Sequence, residues 1–421
     1  MKQTADELPA DFCGAIDGVP VAELVARHGS PLFVFSEAAL RKAARDARRA
    51  FRSRYPDVQF AWSYKTNYLK AVCAIFHQEG AIAEVVSEFE YEKARGMGVP
   101  GRDIIFNGPW KAPAILERAI DEGAKIQIDN FDELNALIAL AARKGRTVEV
   151  ALRVFMDTGA RPTWSKFGFN AESGEALDAI GRINRSGCLK LVGLHTHVGT
   201  NVTDALVYAQ ATGTLIDLAE LARREHGCNT RYLNLGGGFA GPSATAPSMD
   251  DYAEAICGTI HRRWPKDRQL PKLYLETGRA LVDAAGHHIT TIVALKESAY
   301  LVDSGIHLLN PDVLHDLGVR PARRTTGAWG ERTLYGCLCM NTDVICRSVP
   351  LPELHAGDHL VLHPVGAYHI SQAMQFIAYR PRVVMVREDG VVEVIRERED
   401  LRHLEAMERL PTHLHSPVAG Q

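Results

Sequence analysis

Val58-Gln59-Phe60-Ala61-Trp62-Ser63-Tyr64-Lys65-Thr66-Asn67 is an apolar, strand-like run that ends at a lysine, and residues 69–78 after it carry apolar side chains at helical spacing. A strand that feeds a helix is half of a βαβ unit, and an amine at the end of that strand can be held at the mouth of a parallel barrel. So placed, it can form a Schiff base. Alone, a lysine after a strand reads as a solvated surface residue, so the weight falls on its surroundings.

The same texture recurs along the chain. Short β-branched or apolar segments at 58–64, 82–86, 104–106, 125–128, 148–154, 191–197, 232–235 and 273–275 alternate with amphipathic stretches at 69–78, 112–122, 131–143, 177–184, 205–224 and 249–263. Alternation of this kind implies parallel strands joined by crossover helices, and eight such units can close into an α/β (β/α)₈ TIM-type barrel. After Gly286 the pattern changes to Thr/Val-rich strands broken by Gly, Pro and Asp, at 288–294, 333–339, 359–362 and 382–387, which reads as a C-terminal β domain. Pro31 to Phe35 is also strand-like and precedes a helix over 37–52. The expected partition is an N-terminal segment 1–35 packing with the β domain, a barrel over 36–286 and the β domain over 287–421, with a loose tail from 410.

Composition narrows the partners. The 421 residues are 46% hydrophobic and 24% charged with a net charge of −3, which gives no electrostatic reason to expect nucleic acid or a membrane surface. No secretory h-region and no run of roughly 20 apolar residues is present, so a cytoplasmic location is expected. The eight cysteines are scattered, apart from Cys337 and Cys339, without a disulfide framework or zinc spacing. They read as reduced thiols, mostly in the core, and no metal site is expected.

In a barrel of this type the active site lies at the C-terminal ends of the strands. Those ends are unusually polar here: Lys65, Ser87, Asn107, Asp129, Arg153, His197, Gly236-Gly237-Gly238, and Glu276 with Arg279. Each has a plain structural explanation, a helix cap for Ser87 and Asp129, an interior ion pair for Arg153, a core imidazole for His197. Their convergence on one rim suggests a site. Three consecutive glycines allow backbone N–H groups to approach a phosphate, although they also make an ordinary tight turn, and the G-x-G-x-x-G spacing of a dinucleotide site is missing. Glu276-Thr277-Gly278-Arg279 puts a carboxylate and a guanidinium on one loop, suited to a heterocyclic nitrogen and an anion, or to each other as an ion pair. Farther on, Cys337 and Cys339 fall on one face of an expected strand, and Gly366-Ala367-Tyr368 forms a turn with a phenol.

Taken in order, Ser63-Tyr64-Lys65-Thr66-Asn67, Glu84-Val85-Val86-Ser87 with Glu90, Lys166-Phe167-Gly168, the run from His195 to Thr200, Gly236-Gly237-Gly238, Glu276 to Arg279, Gly336 to Asp343 and Gly366-Ala367-Tyr368 resemble the fold type III pyridoxal phosphate decarboxylases, the group of diaminopimelate and ornithine decarboxylases. The resemblance runs from about residue 31 to 380. It implies that Lys65 carries the pyridoxal 5'-phosphate, that His197 stacks on its ring, and that Glu276 pairs with the ring nitrogen. Thr200, Gly237, Gly238, Arg279 and Tyr368 would surround the phosphate. Cys339, from the neighbouring subunit, would return a proton to the carbon left by CO₂, and Lys166 would meet Asp343 across the interface of a homodimer with shared active sites. Alanine racemases share the barrel but place an arginine near the ring nitrogen, so Glu276 favours decarboxylation over racemisation.

The departures concern the substrate. Where diaminopimelate decarboxylases carry a glutamate after the cysteine, and ornithine decarboxylases usually an aspartate, this chain has Met340; the Arg-Pro-x-x-Tyr run of the diaminopimelate enzymes corresponds to Asn310-Pro311-Asp312-Val313-Leu314. With Met340, Asn310 and Arg153 in the substrate pocket, groups that would pair with a polar distal end are missing, so meso-diaminopimelate is not expected to be preferred. Lys65-Thr66-Asn67 and the run from Cys339 to Asp343 resemble divergent members that act on unusual or conjugated amino acids in siderophore and peptide-antibiotic pathways. The alternatives are an amino acid racemase on the same cofactor and a non-catalytic homologue that regulates a decarboxylase through mixed dimers.

Overall fold

The structure, a computed structural model, describes residues 12–159, 165–309 and 317–414. Eight parallel strands close on themselves: β1 (Val58–Ser63), β2 (Ile82–Val85), β3 (Ile104–Phe106), β4 (Lys125–Ile128), β5 (Val148–Phe155), β6 (Leu189–His195), β7 (Tyr232–Asn234) and β8 (Lys272–Thr277), with β8 pairing back onto β1. Helices follow each strand up to β7. The helix Glu37–Arg52, which precedes β1, completes the outer ring between Lys70–Gln78 and Met249–Arg263. This is the expected (β/α)₈ barrel.

Local chemistry sets these boundaries. The helix Phe131–Lys144 starts where Asn130 accepts the Glu133 N–H at 3.0 Å, carries Asp132 and Glu133 in its first turn and Arg143 and Lys144 in its last. Both charge placements favour the helix dipole. The strands are apolar because they are covered on both faces: Ile104, Ile105 and Phe106 are all fully buried. Inside the barrel, Ala61, Ile105, Ala151, Val192, Tyr232 and Tyr274 form one packed layer.

A second, mostly β unit follows. The strand Gly286–Lys296 pairs with Ala299–Val302, His359–His363 and, antiparallel, with Leu32–Ser36 from near the start of the chain, which in turn lies parallel to Val383–Val386. One sequence expectation is corrected: the strand written over 333–339 is Trp329–Tyr335 and ends before the cysteines. Cys337 and Cys339 sit in the following loop, and both are exposed. Only Cys73, Cys228 and Cys257 are buried, so the thiols are less of a core population than composition suggested. Among the described residues no helix is long and apolar enough to cross a membrane, and no group of three His, Cys, Asp or Glu side chains is arranged to hold a metal.

Candidate active site

At the C-terminal mouth, Lys65 follows β1 directly. Its Nζ donates to Glu84 Oε2 at 2.6 Å and to Ser63 Oγ at 2.8 Å, and Ser63 Oγ itself donates to Glu84 Oε2. Burial alone would lower the amine's pKa, but Glu84, Glu276 and Tyr368 outweigh it and raise it. Glu84 is fully buried inside the barrel, and its other oxygen accepts from Asn107 Nδ2 at 2.9 Å.

Asn107 links this pair to Glu276. The same amide group donates to Glu276 Oε1 at 2.8 Å, Asn234 Nδ2 donates to that oxygen at 2.6 Å, and His195 Nε2 lies 3.4 Å from Oε2. Burial would push the Glu276 carboxyl up, yet His195, Lys65 and Asn107 together hold it well below the usual carboxylate range. A buried, ionised carboxylate is thereby kept ready for a cationic partner.

The glycine run is a built cradle. Gly236 and Gly238 adopt φ of 63° and 89°, and a Cβ on Gly237 would overlap the carbonyl oxygen of Glu276. No other residue type fits Gly237, and the N–H it presents donates to His197 Nδ1 at 2.9 Å. Burial, with Lys65 and Arg153 nearby, pushes His197 well below its usual pKa, so its ring is neutral. Thr200 lies in the loop facing Gly238, where Val202 N–H bonds the Gly238 oxygen at 2.8 Å.

Residues from the β unit close the rim. Asn67 Nδ2 donates to Gly366 O at 3.0 Å, and Tyr368, held at φ 70°, donates its N–H to Thr66 O at 2.8 Å. The Arg279 guanidinium lies 5.2 Å from the Tyr368 ring and pairs at 3.1 Å with Asp283, whose other oxygen accepts from Ala367 N–H. The Thr66-Asn67 segment next to Lys65, Arg279 and Tyr368 are thus tied together although they come from distant parts of the sequence. A lysine amine, an ionised buried carboxylate, a neutral imidazole and a glycine turn beside an arginine are groups whose chemistry suits a small phosphorylated heterocycle bearing a carbonyl.

Other expected residues have plainer surroundings. Ser87 caps the helix Glu88–Gly96, and Asp129 does not cap a helix but pairs at 3.3 Å with Arg153, whose guanidinium lies 4.4 Å from the Phe167 ring. Arg153, Phe167 and His197 line one narrow crevice. Lys166 Nζ lies 4.8 Å from the centre of the same Phe167 ring. Asp343 is 3% exposed and accepts N–H groups from Ile306 and Leu338 at 2.8 and 2.7 Å, so what its carboxylate does within its own chain is hold the loop that carries Cys339 and Met340. Asn310 lies outside the described residues. Glu84 and His195 stand in the motifs without an assigned role, and Asn234 was not singled out; a polar residue alternating inward among apolar neighbours, as in Ile82-Ala83-Glu84-Val85, was the available signal.

Residues 39–283 match the model of the pyridoxal-dependent decarboxylases, in its pyridoxal binding domain. The chain is 33% identical over 405 residues to a diaminopimelate decarboxylase of Actinosynnema pretiosum, covering 91% of this chain and 90% of that protein. It is 31% identical to the diaminopimelate decarboxylase of Methanocaldococcus jannaschii, with 95% of each chain covered. The crystal structure of diaminopimelate decarboxylase from M. jannaschii superposes with a TM-score of 0.89 at 29% identity over 97% of this chain and 98% of that one. A lysine/ornithine decarboxylase from Vibrio vulnificus complexed with putrescine shares the fold at a TM-score of 0.76 and 22% identity, over 88% of this chain and 98% of that one.

Proposed function

The chain belongs to the fold type III pyridoxal-dependent decarboxylases, and from that membership we propose that it removes the α-carboxylate of an amino acid or amino acid conjugate whose distal end is not that of meso-diaminopimelate. The enzyme class is a pyridoxal phosphate-dependent carboxy-lyase. The cofactor fits the residues present: a glycine turn packs too closely on Glu276 O and His197 to admit a Cβ at Gly237, and an ionised carboxylate is buried where a protonated nitrogen needs one. When bound, pyridoxal phosphate supplies a sink for the electron pair released as a carboxylate leaves.

The chain's own residues would do the rest. Lys65 would hold the cofactor's carbonyl carbon, with Glu84 and Ser63 fixing where the amine points. Glu276 would keep a proton on the ring nitrogen, and His197 would lie against the ring face. Thr200, Gly237, Gly238, Arg279 and Tyr368 would take the phosphate. Cys339 of the partner subunit would deliver a proton to the α-carbon, in a cytoplasmic homodimer whose active sites are shared; Lys166 at the interface, facing Asp343 of the partner subunit, belongs to the same proposal.

One observation carries the substrate reading: Met340, next to Cys339 on an exposed loop, is an uncharged thioether that is itself 37% exposed. It offers nothing to a distal ammonium. The names of the relatives favour a second reading, meso-diaminopimelate itself. Release of CO₂ from diaminopimelate, ornithine, lysine, arginine, glutamate and citrate- or nucleotide-conjugated amino acids separates the two. A preferred substrate with kcat/KM about a hundredfold above that for meso-diaminopimelate is expected. Meso-diaminopimelate as the best substrate would overturn the proposal.

A further inference from the structure

The opposite mouth of the barrel carries a second concave site. A cavity of about 500 Å³ opens at the N-terminal ends of the strands, lined by four cations, Lys125, Arg146, Arg231 and Lys272, and one acid, Glu149. Lys125 and Lys272 are the first residues of β4 and β8, and Arg231 immediately precedes β7, so three of the four are fixed by the sheet and not by a loop.

The cations converge. Lys125 Nζ and Lys272 Nζ lie 5.9 and 5.6 Å from the centre of the same ring, Tyr274. Lys125 donates to the backbone oxygen of Arg102 and Lys272 is 3.5 Å from Asp57, while Arg231 contacts Glu149 and Arg146 is 3.0 Å from Asp121. The cavity's own walls hold four cations and one acid, and Asp57 and Asp121 pair with Lys272 and Arg146 from outside them. Burial, with Lys272 and Arg102 adding to it against Asp103, pushes the Lys125 amine below its usual pKa.

The floor is closed and apolar. Tyr232 and Tyr274 meet edge to face at 5.1 Å and are 8% and 6% exposed. With Ala61, Ile105, Ala151 and Val192 they plug the barrel between this cavity and Glu276, which stands two residues along β8 from Tyr274 on the same inward face.

We propose that this mouth binds a small polyanion carrying at least two carboxylate or phosphoryl oxygens, its charges on Lys125, Lys272 and Arg231 and its body against the Tyr274 ring. The site is separate from the Lys65 site and does not depend on which substrate is decarboxylated. Pairs of anionic oxygens match ammonium and guanidinium donors, and a ring face already near two cations suits a ligand that neutralises them.

Titration calorimetry of the cofactor-saturated protein at low ionic strength, with citrate in one arm and inorganic phosphate in the other, tests it. Saturable one-site binding of citrate alone would identify carboxylates as the source, and of phosphate alone phosphoryl groups. Binding should weaken roughly tenfold or more in Lys125→Met/Lys272→Met, with the visible band of the bound cofactor unchanged. Should that double variant not fold, the more exposed Arg231→Gln should still weaken binding. No saturable binding of either anion, or binding as in wild type in a folded variant, would overturn the proposal.

Discussion

The Lys65 amine donates at 2.6 Å to Glu84, a carboxylate buried within the barrel and bonded on its other oxygen by Asn107. Glu84 therefore orients the amine and, through Asn107, shares a donor with Glu276. Truncating it would take the buried acceptor away from three donors, Lys65, Ser63 and Asn107. Glu84→Ala is expected to destabilise the cofactor-free protein by about 3 kcal/mol in urea unfolding. A loss below about 1 kcal/mol would mean that the pair is ornamental.

Gly237 leaves no space for a methyl group against Glu276 O, and its N–H holds His197. Gly237→Ala must displace one or the other. Affinity for pyridoxal phosphate, followed by visible absorbance, is expected to fall about tenfold or more. An unchanged affinity would argue that the turn does not face the phosphate.

Glu90 is pushed up from 4.5 to about 7, first by burial and then by Glu84. Because the folded state favours the protonated acid, the associated stability is complete below pH 4.5 and is lost as pH rises through about 7. Glu90→Gln keeps an acceptor for the Val86 N–H, which Glu90 now serves at 2.8 Å, and has no proton to lose. Unfolding free energies of the cofactor-free proteins should diverge with rising pH in favour of the variant, by at most about 1.4 kcal/mol per pH unit. Parallel curves would refute the assignment.

Much of this was legible in the chain, for physical reasons. Barrel strands buried on both faces are apolar runs, so Ile104–Phe106 and Lys125–Ile128 could be bounded to the residue. The β unit was harder. Its edge strands Val344–Pro352 and Val392–Arg396 are half-exposed and mix charge with apolar residues, and went unread. Glycine and lysine motifs marked the phosphate cradle and the amine, whereas Glu84, His195 and Asn234 lie one layer deeper and join the site only through barrel closure. The loop with Cys339 was misread as strand because alternating Cys-Leu-Cys imitates a two-residue period.

That loop exposes two thiols, of which one is assigned a reaction step. Cys339→Ala is expected to slow turnover by about a hundredfold or more while the cofactor band stays intact, and Cys337→Ala to leave turnover near wild type. Equal effects of the two substitutions would remove Cys339 from proton delivery.

The most direct test is where the cofactor is attached. Borohydride reduction of the cofactor-loaded protein, followed by peptide mass spectrometry, should find the phosphopyridoxyl mass on the peptide containing Lys65 and no such label in Lys65→Ala. Label on another lysine, such as the buried Lys111 that already donates to Glu133 at 2.7 Å, would contradict the assignment of the barrel mouth around Lys65 as the catalytic centre.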